Sequence, residues 1–336
     1  MNPVFIIGSG GFGTSLAVLL DQCGIPVSLY SAFPQELEAI ARDGENKKLL
    51  PGIPVPKTVK LTPNKGEAPD FPLAVFAVPS GAVRPVAKSF AGVLAPDTVI
   101  VNVGKGFEPS TQKRLSVVLK EEFPQNPVVV LSGPSHAEEI ALGVPTTVVA
   151  ASEDHNAALL VQQSLMQKNL RIYLNDDVLG VELGGALKNI IALAAGILDG
   201  MKIGDNARAA LMTRGLAEIT RLGTAMGAQA ASFLGVAGMG DLIVTCTSVH
   251  SRNHRAGEYI GQGLSPKEAV EKVGMTVEGI SATLCAHELA MGYRVEMPIV
   301  EQLYQVLQGN CDATTAIANL MGRPGRAERD RPWGST

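Results

Sequence analysis

The sequence has little charge for its length. Of its 336 residues, 18% are charged against 46% hydrophobic, and the formal net charge is −4. This balance argues against duplex nucleic acid or an anionic membrane as the main partner. A chain of this length and apolar composition predicts a globular protein of two domains, each with its own core.

Cysteine is also scarce, and no long apolar run begins the chain. The four cysteines, at positions 23, 246, 285 and 311, show no CxxC spacing. This pattern is typical of a reducing compartment and predicts no metal site. The first residues lack the basic segment and apolar stretch of a signal peptide. We therefore expect a soluble, cytoplasmic protein.

The first motif is a glycine-rich turn after a short apolar strand. Val4 to Ile7 is followed by Gly-Ser-Gly-Gly-Phe-Gly, then by a helical segment and a second strand. Gly8 would allow the tight turn, Gly10 would let a pyrophosphate approach, and Gly13 would let the helix pack on the strand. The helix amides would face the phosphates. The pattern predicts a site for NAD or NADP.

The end of the second strand leaves the choice between these cofactors open. NAD sites usually carry Asp or Glu there for the ribose 2′-hydroxyl. The residues here are Tyr30-Ser31-Ala32-Phe33, without a carboxylate to repel a 2′-phosphate or an arginine to attract one. We infer only a slight tendency to tolerate NADPH.

Three further apolar runs end in loops that would line a cleft. They end at Pro79-Ser80-Gly81, Gly104-Lys105-Gly106 and Ser132-Gly133-Pro134-Ser135. Ligands of open α/β sheets bind outside the carboxyl ends of the strands. Lys105 is therefore a candidate functional residue, although a solvated loop lysine remains an alternative. Two more strands, at residues 146–151 and 171–174, would complete a sheet of about eight.

Beyond residue 180 the pattern becomes helical throughout. We predict an α/β fold in which an N-terminal Rossmann-type doubly wound sheet is followed by an all-helical C-terminal domain. The predicted domains are residues 1–180, which bind dinucleotide, and 181–322, which bind substrate. Residues 323–336 mix Arg, Pro, Gly and acidic residues with little to bury, which predicts a disordered tail.

The first helix of the second half, Val181 to Gly200, carries a lysine among small residues. Lys188 shares one helix face with Gly184 and Gly185, where another backbone could approach closely. An ammonium group there needs a partner or a function. Two interpretations stay open: a structural lysine, either paired with Glu182 or extending its ammonium group outward to solvent, and a functional lysine. The apolar run is too short for stable membrane insertion and predicts a buried helix.

Two neighbouring segments offer acidic and phosphate-binding groups. Asp241 lies between glycine and an apolar run, where it is either a helix N-cap or a functional carboxylate. The cluster Ser251-Arg252-Asn253 suits a small phosphate, because arginine supplies a bidentate fork and the others add neutral hydrogen bonds. A solvated basic loop that includes His254 and Arg255 is the alternative.

Together these motifs resemble bacterial NAD(P)-dependent glycerol-3-phosphate dehydrogenases. The similarity runs in one order over nearly the whole chain, up to about residue 322. The segments that carry it are residues 8–13, 105–106, 132–135, 185–189, 206–211, 240–242, 245–246, 251–253 and 277–279. The resemblance implies interconversion of sn-glycerol 3-phosphate and dihydroxyacetone phosphate, with supply of glycerol 3-phosphate for phospholipid synthesis. It also suggests a homodimer, formed through the helical domain.

The resemblance also implies the roles of individual residues. The predicted catalytic residues are Lys188, the proton acceptor, with Lys105 and Asp241. The predicted cofactor-binding residues are Gly8, Gly10, Gly11, Phe12, Gly13, Ala32, Lys105, Ala137, Arg252, Thr276 and Glu278. The predicted substrate-binding residues are Lys105, Gly133, Ser135, Lys188, Asn189, Asp241, Thr245, Ser251, Arg252 and Asn253.

Three positions depart from the family pattern. Phe12 replaces Tyr or Trp, and His136 replaces Phe beside Ser135. Ala32 stands where relatives often have a basic residue, which argues against strict NADP preference.

The chemistry assigned to these residues is alcohol oxidation without a metal. An apolar face and a second ammonium group would lower the pKa of Lys188 toward neutrality, so that it can take the hydroxyl proton. Lys105 would polarise the substrate carbonyl, and Asp241 would orient Lys188. The alternatives are a related β-hydroxyacid or ketopantoate-type reductase, and a non-catalytic dinucleotide-binding redox sensor.

Overall fold

The first half of the molecule is built on ten β-strands. The structure is a computed structural model that describes residues 2–325, 327 and 328. The strands are β1 Val4–Ile7, β2 Val27–Tyr30, β3 Glu45–Asn46, β4 Leu50–Pro54, β5 Lys60–Thr62, β6 Leu73–Phe76, β7 Val99–Asn102, β8 Val128–Ser132, β9 Thr146–Ala151 and β10 Leu170–Asn175. The α-helices between them are α1 Gly11–Gln22, α2 Pro34–Asp43, α3 Val83–Ser89, α4 Leu115–Glu122, α5 Ala137–Ala141 and α6 His155–Leu165.

Eight strands form one sheet in the order β10-β9-β8-β7-β6-β1-β2-β5. Six neighbouring strands of this order, β8-β7-β6-β1-β2-β5, are parallel to one another. Their order is that of a dinucleotide-binding sheet. β9 runs antiparallel to β8 and parallel to β10. This confirms the predicted doubly wound sheet of eight strands. The order reverses between β1 and β6, so a crevice opens at their carboxyl ends.

The central strands of the sheet are buried on both faces, as the apolar first strand predicts. Val4 and Ile6 belong to the core on one face, whereas Phe5 and Ile7 belong to the core on the other. Side chains of a strand alternate between the two faces, so a strand between two layers of helices must be apolar throughout.

The segment from residue 51 to 72, rich in Pro, Lys and Gly, contains short regular elements. It holds most of β4, which pairs with β3 in a small hairpin, and β5, which pairs with β2 at the edge of the main sheet. A 3₁₀ turn follows at Lys65–Asp70. These elements are two to six residues long, too short for a clear hydrophobic period.

The second half is helical, and no strand occurs in its described part. Its helices are α7 Val178–Gly200, α8 Asp205–Ala225, α9 Ala230–Leu234, α10 Asp241–Thr247, α11 Arg252–Gly261, α12 Pro266–Val273, α13 Glu278–Tyr293, α14 Pro298–Leu307 and α15 Ala313–Met321. A short π-helical turn, Val236–Gly240, precedes α10. The domain boundary near residue 180 stays a prediction, and most of the predicted disordered tail, 323–336, lies outside the described residues.

Helix α7 is the centre of the helical half. It is long and apolar enough to cross a membrane by composition, but its most apolar window is 100% buried within the fold, so it is a core helix. It contacts α11 through glycines on both helices. A Cβ on Gly196 would lie 2.0 Å from the carbonyl oxygen of His254, and one on Gly257 would lie 2.0 Å from that of Leu193. Only glycine permits so close a crossing.

Candidate active site

The glycine-rich turn has the geometry of a phosphate site. Gly8 has φ +117°, in the region that favours glycine. A Cβ on Gly13 would lie 2.0 Å from the carbonyl oxygen of Gly8, so this glycine lets α1 pack on the turn. Gly10 is the N-cap of α1 and offers no side chain to its first amides. Those amides lack partners within the helix and therefore fit the pyrophosphate of a dinucleotide.

A cavity of about 240 Å³ extends from this turn into the helical half. It opens at the carboxyl ends of β1, β6 and β7 and reaches α7, α10 and α11. The predicted site residues that line it are Gly10, Gly11, Phe12, Lys105, Ser135, Lys188, Asn189, Thr245, Ser251, Arg252, Asn253, Thr276 and Glu278. Segments far apart in the chain thus meet in one cleft.

Two lysines of the cleft share one buried carboxylate. Lys188 Nζ donates to Asp241 Oδ1 at 2.5 Å, and Lys105 Nζ donates to Asp241 Oδ2 at 2.7 Å. Asp241 is only 1% exposed. Lys188 Nζ also donates to Thr245 Oγ1 at 2.5 Å. The Thr245 hydroxyl in turn donates to the Asp241 carbonyl oxygen at 2.6 Å. The two ammonium groups are therefore held side by side.

This arrangement changes the acidity of its members. Burial, together with the positive charge of Lys105, lowers the pKa of Lys188 to about 8 against the opposing effect of Asp241. Burial by itself would raise the pKa of Asp241, but the two lysines hold that pKa below its ordinary value. Lys188 can therefore change protonation near neutral pH, while Asp241 stays ionised.

Lys105 is anchored, which contradicts the alternative of a solvated loop lysine. Its ammonium group donates to the Gly133 carbonyl oxygen at 2.7 Å and to Ser135 Oγ at 3.2 Å. Gly133 has φ +145°, and a Cβ there would lie 2.9 Å from Val148 Cα. The loop after β8 thus requires glycine to present this carbonyl to Lys105.

A chain of amide hydrogen bonds joins the helices around the cavity. Asn253 Nδ2 donates to Asn189 Oδ1 at 2.9 Å, and Gly279 N donates to Asn253 Oδ1 at 2.8 Å. Ser251 is the N-cap of α11 and accepts from His254 N at 3.2 Å. The predicted phosphate cluster therefore begins a helix rather than a basic loop, and His254 is buried. Arg252 lies in its first turn, is exposed and lines the cavity.

Two further structural alternatives from the sequence are wrong. Glu182 does not pair with Lys188: it accepts from Arg114 Nη1 at 2.6 Å and from Ser116 N at 2.8 Å. Asp241 is not an N-cap, because Gly240 occupies that position of α10.

Some predicted residues lie outside the cavity lining. Asp241 and Gly133 accept hydrogen bonds from Lys105, while Gly8 and Gly13 belong to the glycine-rich turn. Ala137 begins α5, and a Cβ on Gly11 would lie 3.9 Å from its Cβ. Ala32 is exposed just after β2.

Other cavity residues were not predicted. His250 and Val103 line the cavity. Ser80 N donates to Glu278 Oε1 at 3.3 Å, a contact between residues 198 positions apart. Burial raises the pKa of that carboxylate. Only the proximity of Ser80 to a strand end could have indicated this contact.

His136 also lines the cavity, and its Nε2 is buried without a hydrogen-bond partner among the described residues. Burial lowers the pKa of its imidazole, and the ammonium groups of Lys188 and Lys105 lower it further. His136 is therefore a neutral side chain at the wall of the site.

No metal centre accompanies these groups in the part of the chain that the structure describes. There, no three His, Cys, Asp or Glu side chains are grouped so as to hold a metal ion.

Comparison with known proteins identifies the family. The family models for the N-terminus and C-terminus of NAD-dependent glycerol-3-phosphate dehydrogenase match residues 3–158 and 177–318. The NAD(P)+ glycerol-3-phosphate dehydrogenase of Desulfitobacterium hafniense is 50% identical, covering 96% of this chain and 92% of the relative. The structure of glycerol-3-phosphate dehydrogenase from Coxiella burnetii superposes with a TM-score of 0.91 at 37% identity, covering 96% of this chain and 99% of that one.

A more distant likeness concerns the fold alone. A ketopantoate reductase from Ralstonia eutropha is similar with a TM-score of 0.59 at 16% identity, covering 91% of this chain and 97% of that one. The two family models and the relative at 50% identity indicate the family, whereas this likeness indicates only a shared fold. The chain belongs to the family of NAD(P)-dependent glycerol-3-phosphate dehydrogenases.

Proposed function

We propose that this enzyme interconverts sn-glycerol 3-phosphate and dihydroxyacetone phosphate, with Lys188 as the proton acceptor and donor. The observation that carries the proposal is the buried Lys188–Asp241–Lys105 group in the cavity that begins at the glycine-rich turn. The names printed for the relatives support the substrate pair. Bound NAD or NADP, held by the turn and the first amides of α1, supplies the group that exchanges hydride.

Lys188 accounts for the proton that accompanies the hydride. In oxidation, the neutral amine of Lys188 takes the proton of the secondary hydroxyl as the carbonyl forms. In reduction, the ammonium form returns that proton to the developing alkoxide. A pKa of about 8 keeps both forms accessible near neutral pH. Lys105 Nζ donates to Gly133, Ser135 and Asp241, so it acts on the carbonyl oxygen through its positive charge.

Asp241 and Thr245 position the lysine rather than react. Each accepts a hydrogen bond from Lys188 Nζ, so two of its three donor directions are fixed. Among the described residues the remaining direction has no partner, so it can serve a substrate oxygen. Both Asp241 oxygens are engaged by lysines, and its negative charge offsets the repulsion between them.

The substrate phosphate is assigned to the start of α11. Arg252 lines the cavity there, and the positive end of the helix dipole adds to its charge. Asn189 and Ser135 line the same cavity and contribute polar groups. Phosphate contacts hold the reacting carbon in place and so contribute to the rate.

The direct test is an assay of NADH and NADPH oxidation with dihydroxyacetone phosphate. We expect steady turnover that depends on this substrate. Turnover with ketopantoate and none with dihydroxyacetone phosphate would support the rival β-hydroxyacid or ketopantoate-type reductase. Cofactor binding without turnover of either would support the redox sensor.

The cellular role and assembly are part of the same proposal. We infer a cytoplasmic homodimer that supplies glycerol 3-phosphate for phospholipid synthesis, because the proposed reaction makes that compound. Exposed apolar side chains on the helical half, such as Leu234 and Met291, suit contact with a second copy. Light scattering of the purified protein measures the oligomeric state, and a monomer mass would contradict the homodimer.

A further inference from the structure

A carboxylate that the sequence pattern does not reveal lies beside the cofactor turn. The residues directly after β2 include no carboxylate, but the first turn of α2 supplies that of Glu36. Glu36 Oε2 accepts a hydrogen bond from Ser9 Oγ at 2.6 Å and another from Ser31 Oγ at 2.8 Å. These three residues are not adjacent in sequence, and the fold joins them.

The position of this carboxylate corresponds to a known part of a dinucleotide site. Ser9 lies between Gly8 and Gly10 of the turn, and Ser31 directly follows β2. In dinucleotide-binding sheets the adenosine ribose lies between the turn and the end of the second strand, where an acidic residue bonds its 2′-hydroxyl. Glu36 thus lies near the place where an Asp or Glu directly after β2 would bind the ribose 2′-hydroxyl.

The environment of Glu36 leaves it able to bind a ligand. The two serines are each 4% exposed, whereas Glu36 itself is exposed. Both serines engage Oε2, and in the described part of the chain Oε1 has no hydrogen bond and the carboxylate has no ion-pair partner. A negative charge without a neighbouring cation repels a further anion.

We propose that Glu36 binds the 2′-hydroxyl of the adenosine ribose and makes this enzyme select NAD(H) over NADP(H). A 2′-phosphate would remove the hydroxyl donor and place like charge against the carboxylate. The inference deepens the proposed function, since it concerns the cofactor of that reaction. It also reverses the slight tendency toward NADPH that the sequence around Ala32 indicates.

The test is direct titration of NADH and NADPH into the protein, followed by cofactor fluorescence. For the unaltered enzyme we expect Kd for NADPH to exceed that for NADH by about tenfold or more, as like-charge repulsion at a surface site implies. In Glu36→Gln the amide still bonds a ribose hydroxyl, so Kd for NADH should change little while Kd for NADPH falls toward it.

The matched control is Glu38→Gln. Glu38 is exposed on the same helix, and its substitution removes the same net charge. We expect its ratio of dissociation constants to equal that of the unaltered enzyme. Equal binding of both cofactors by the unaltered enzyme, or an unchanged ratio in Glu36→Gln, overturns the inference.

A turnover assay separates this inference from the proposed function. Selective NADH binding that depends on Glu36 would stand even if dihydroxyacetone phosphate were not reduced, which would contradict only the proposed reaction. Reduction of dihydroxyacetone phosphate with equal kcat/KM for both cofactors would contradict only the role of Glu36.

Discussion

At the scale of single residues, the site depends on one carboxylate between two ammonium groups. A buried charge is costly unless it is paired and hydrogen-bonded. Asp241 meets this condition through Lys188 and Lys105, and Thr245 completes the hydrogen bonds of Lys188. Burial and the neighbouring lysine lower the pKa of Lys188, whereas Asp241 raises it. The rate should therefore follow the protonation of Lys188.

The pH dependence is opposite in the two directions. Oxidation needs the neutral amine, so kcat/KM should rise as pH increases through about 8. Reduction needs the ammonium form, so kcat/KM should fall through the same pH. Steady-state rates from pH 6 to 10 in both directions provide the measurement. Profiles without an inflection between about 7 and 9 would contradict the role of Lys188.

An Asp241→Asn variant identifies the group that titrates. Removing the charge that raises the pKa of Lys188 should shift the inflection to lower pH, along with a loss of kcat from poorer positioning. An unchanged inflection would assign the titration to another group. Asp312→Asn, which affects only the exposed N-cap of α15, is the control and should leave the inflection in place.

Residue roles were only partly predictable from the sequence. Lys188 is recognisable because a lysine among glycines and apolar residues on one helix is unusual. Its partner Asp241 is predicted only through the family resemblance, because the two residues are 53 positions apart while Glu182 lies nearby in sequence. Glu36 was missed for the same reason, since 27 positions separate it from Ser9. Local sequence patterns do not show which distant side chains meet.

At the scale of elements, the crossing of α7 and α11 sets the shape of the cavity. Both Lys188 and Asn189 lie on α7, and Arg252 begins α11. The close approach at Gly196 and Gly257 brings these residues to one wall.

Substitution of Gly257 by alanine tests the crossing. The added Cβ would lie 2.0 Å from the Leu193 carbonyl oxygen and 2.9 Å from Gly196 Cα, so the helices must separate. We expect a loss of about 1–3 kcal/mol in the free energy of unfolding. Urea unfolding is the measurement.

The control for this prediction is Gly292→Ala. Gly292 lies in α13, and no atom of the residues that the structure describes is within 4 Å of a Cβ placed there. Alanine should leave stability unchanged or raise it by up to about 1 kcal/mol, because it favours helix. Equal losses in both variants would show that the crossing does not require glycine.

Elements were predictable where they are long or fully buried. The strands β1, β2 and β6 to β9 consist mostly of buried apolar residues, because both faces of the sheet are covered there. By contrast, β5 has only three residues at the sheet edge, and α11 begins with Arg, Asn and His. Neither pattern has a clear period, so tertiary contacts decide their structure.

At the scale of the whole molecule, a partly buried ion pair joins the start of α4, in the sheet half, to α7 of the helical half. Glu182 on α7 accepts hydrogen bonds from Arg114 and from Ser116 at the start of α4. It lies close to Lys188 along α7, so this contact helps set the position of the lysine relative to the sheet.

Arg114→Ala should weaken that connection. The carboxylate of Glu182, 8% exposed, would lose its charged partner, which costs about 1–3 kcal/mol in the free energy of unfolding. We also expect a lower kcat. Arg42→Ala is the control, since Arg42 pairs with its neighbour Asp43 at the surface, and it should change neither quantity. Stability unaffected by Arg114→Ala would contradict a connecting role.

The central claim is that proton transfer by Lys188 in this cleft accompanies reduction of dihydroxyacetone phosphate. The most direct measurement is NADH oxidation with that substrate by the unaltered enzyme and by Lys188→Met, with Lys267→Met as an exposed control. We predict that kcat of Lys188→Met falls by about 10²- to 10⁴-fold. NADH binding should be retained, and Lys267→Met should behave as the unaltered enzyme. Turnover by Lys188→Met within a fewfold of the unaltered enzyme would contradict the account.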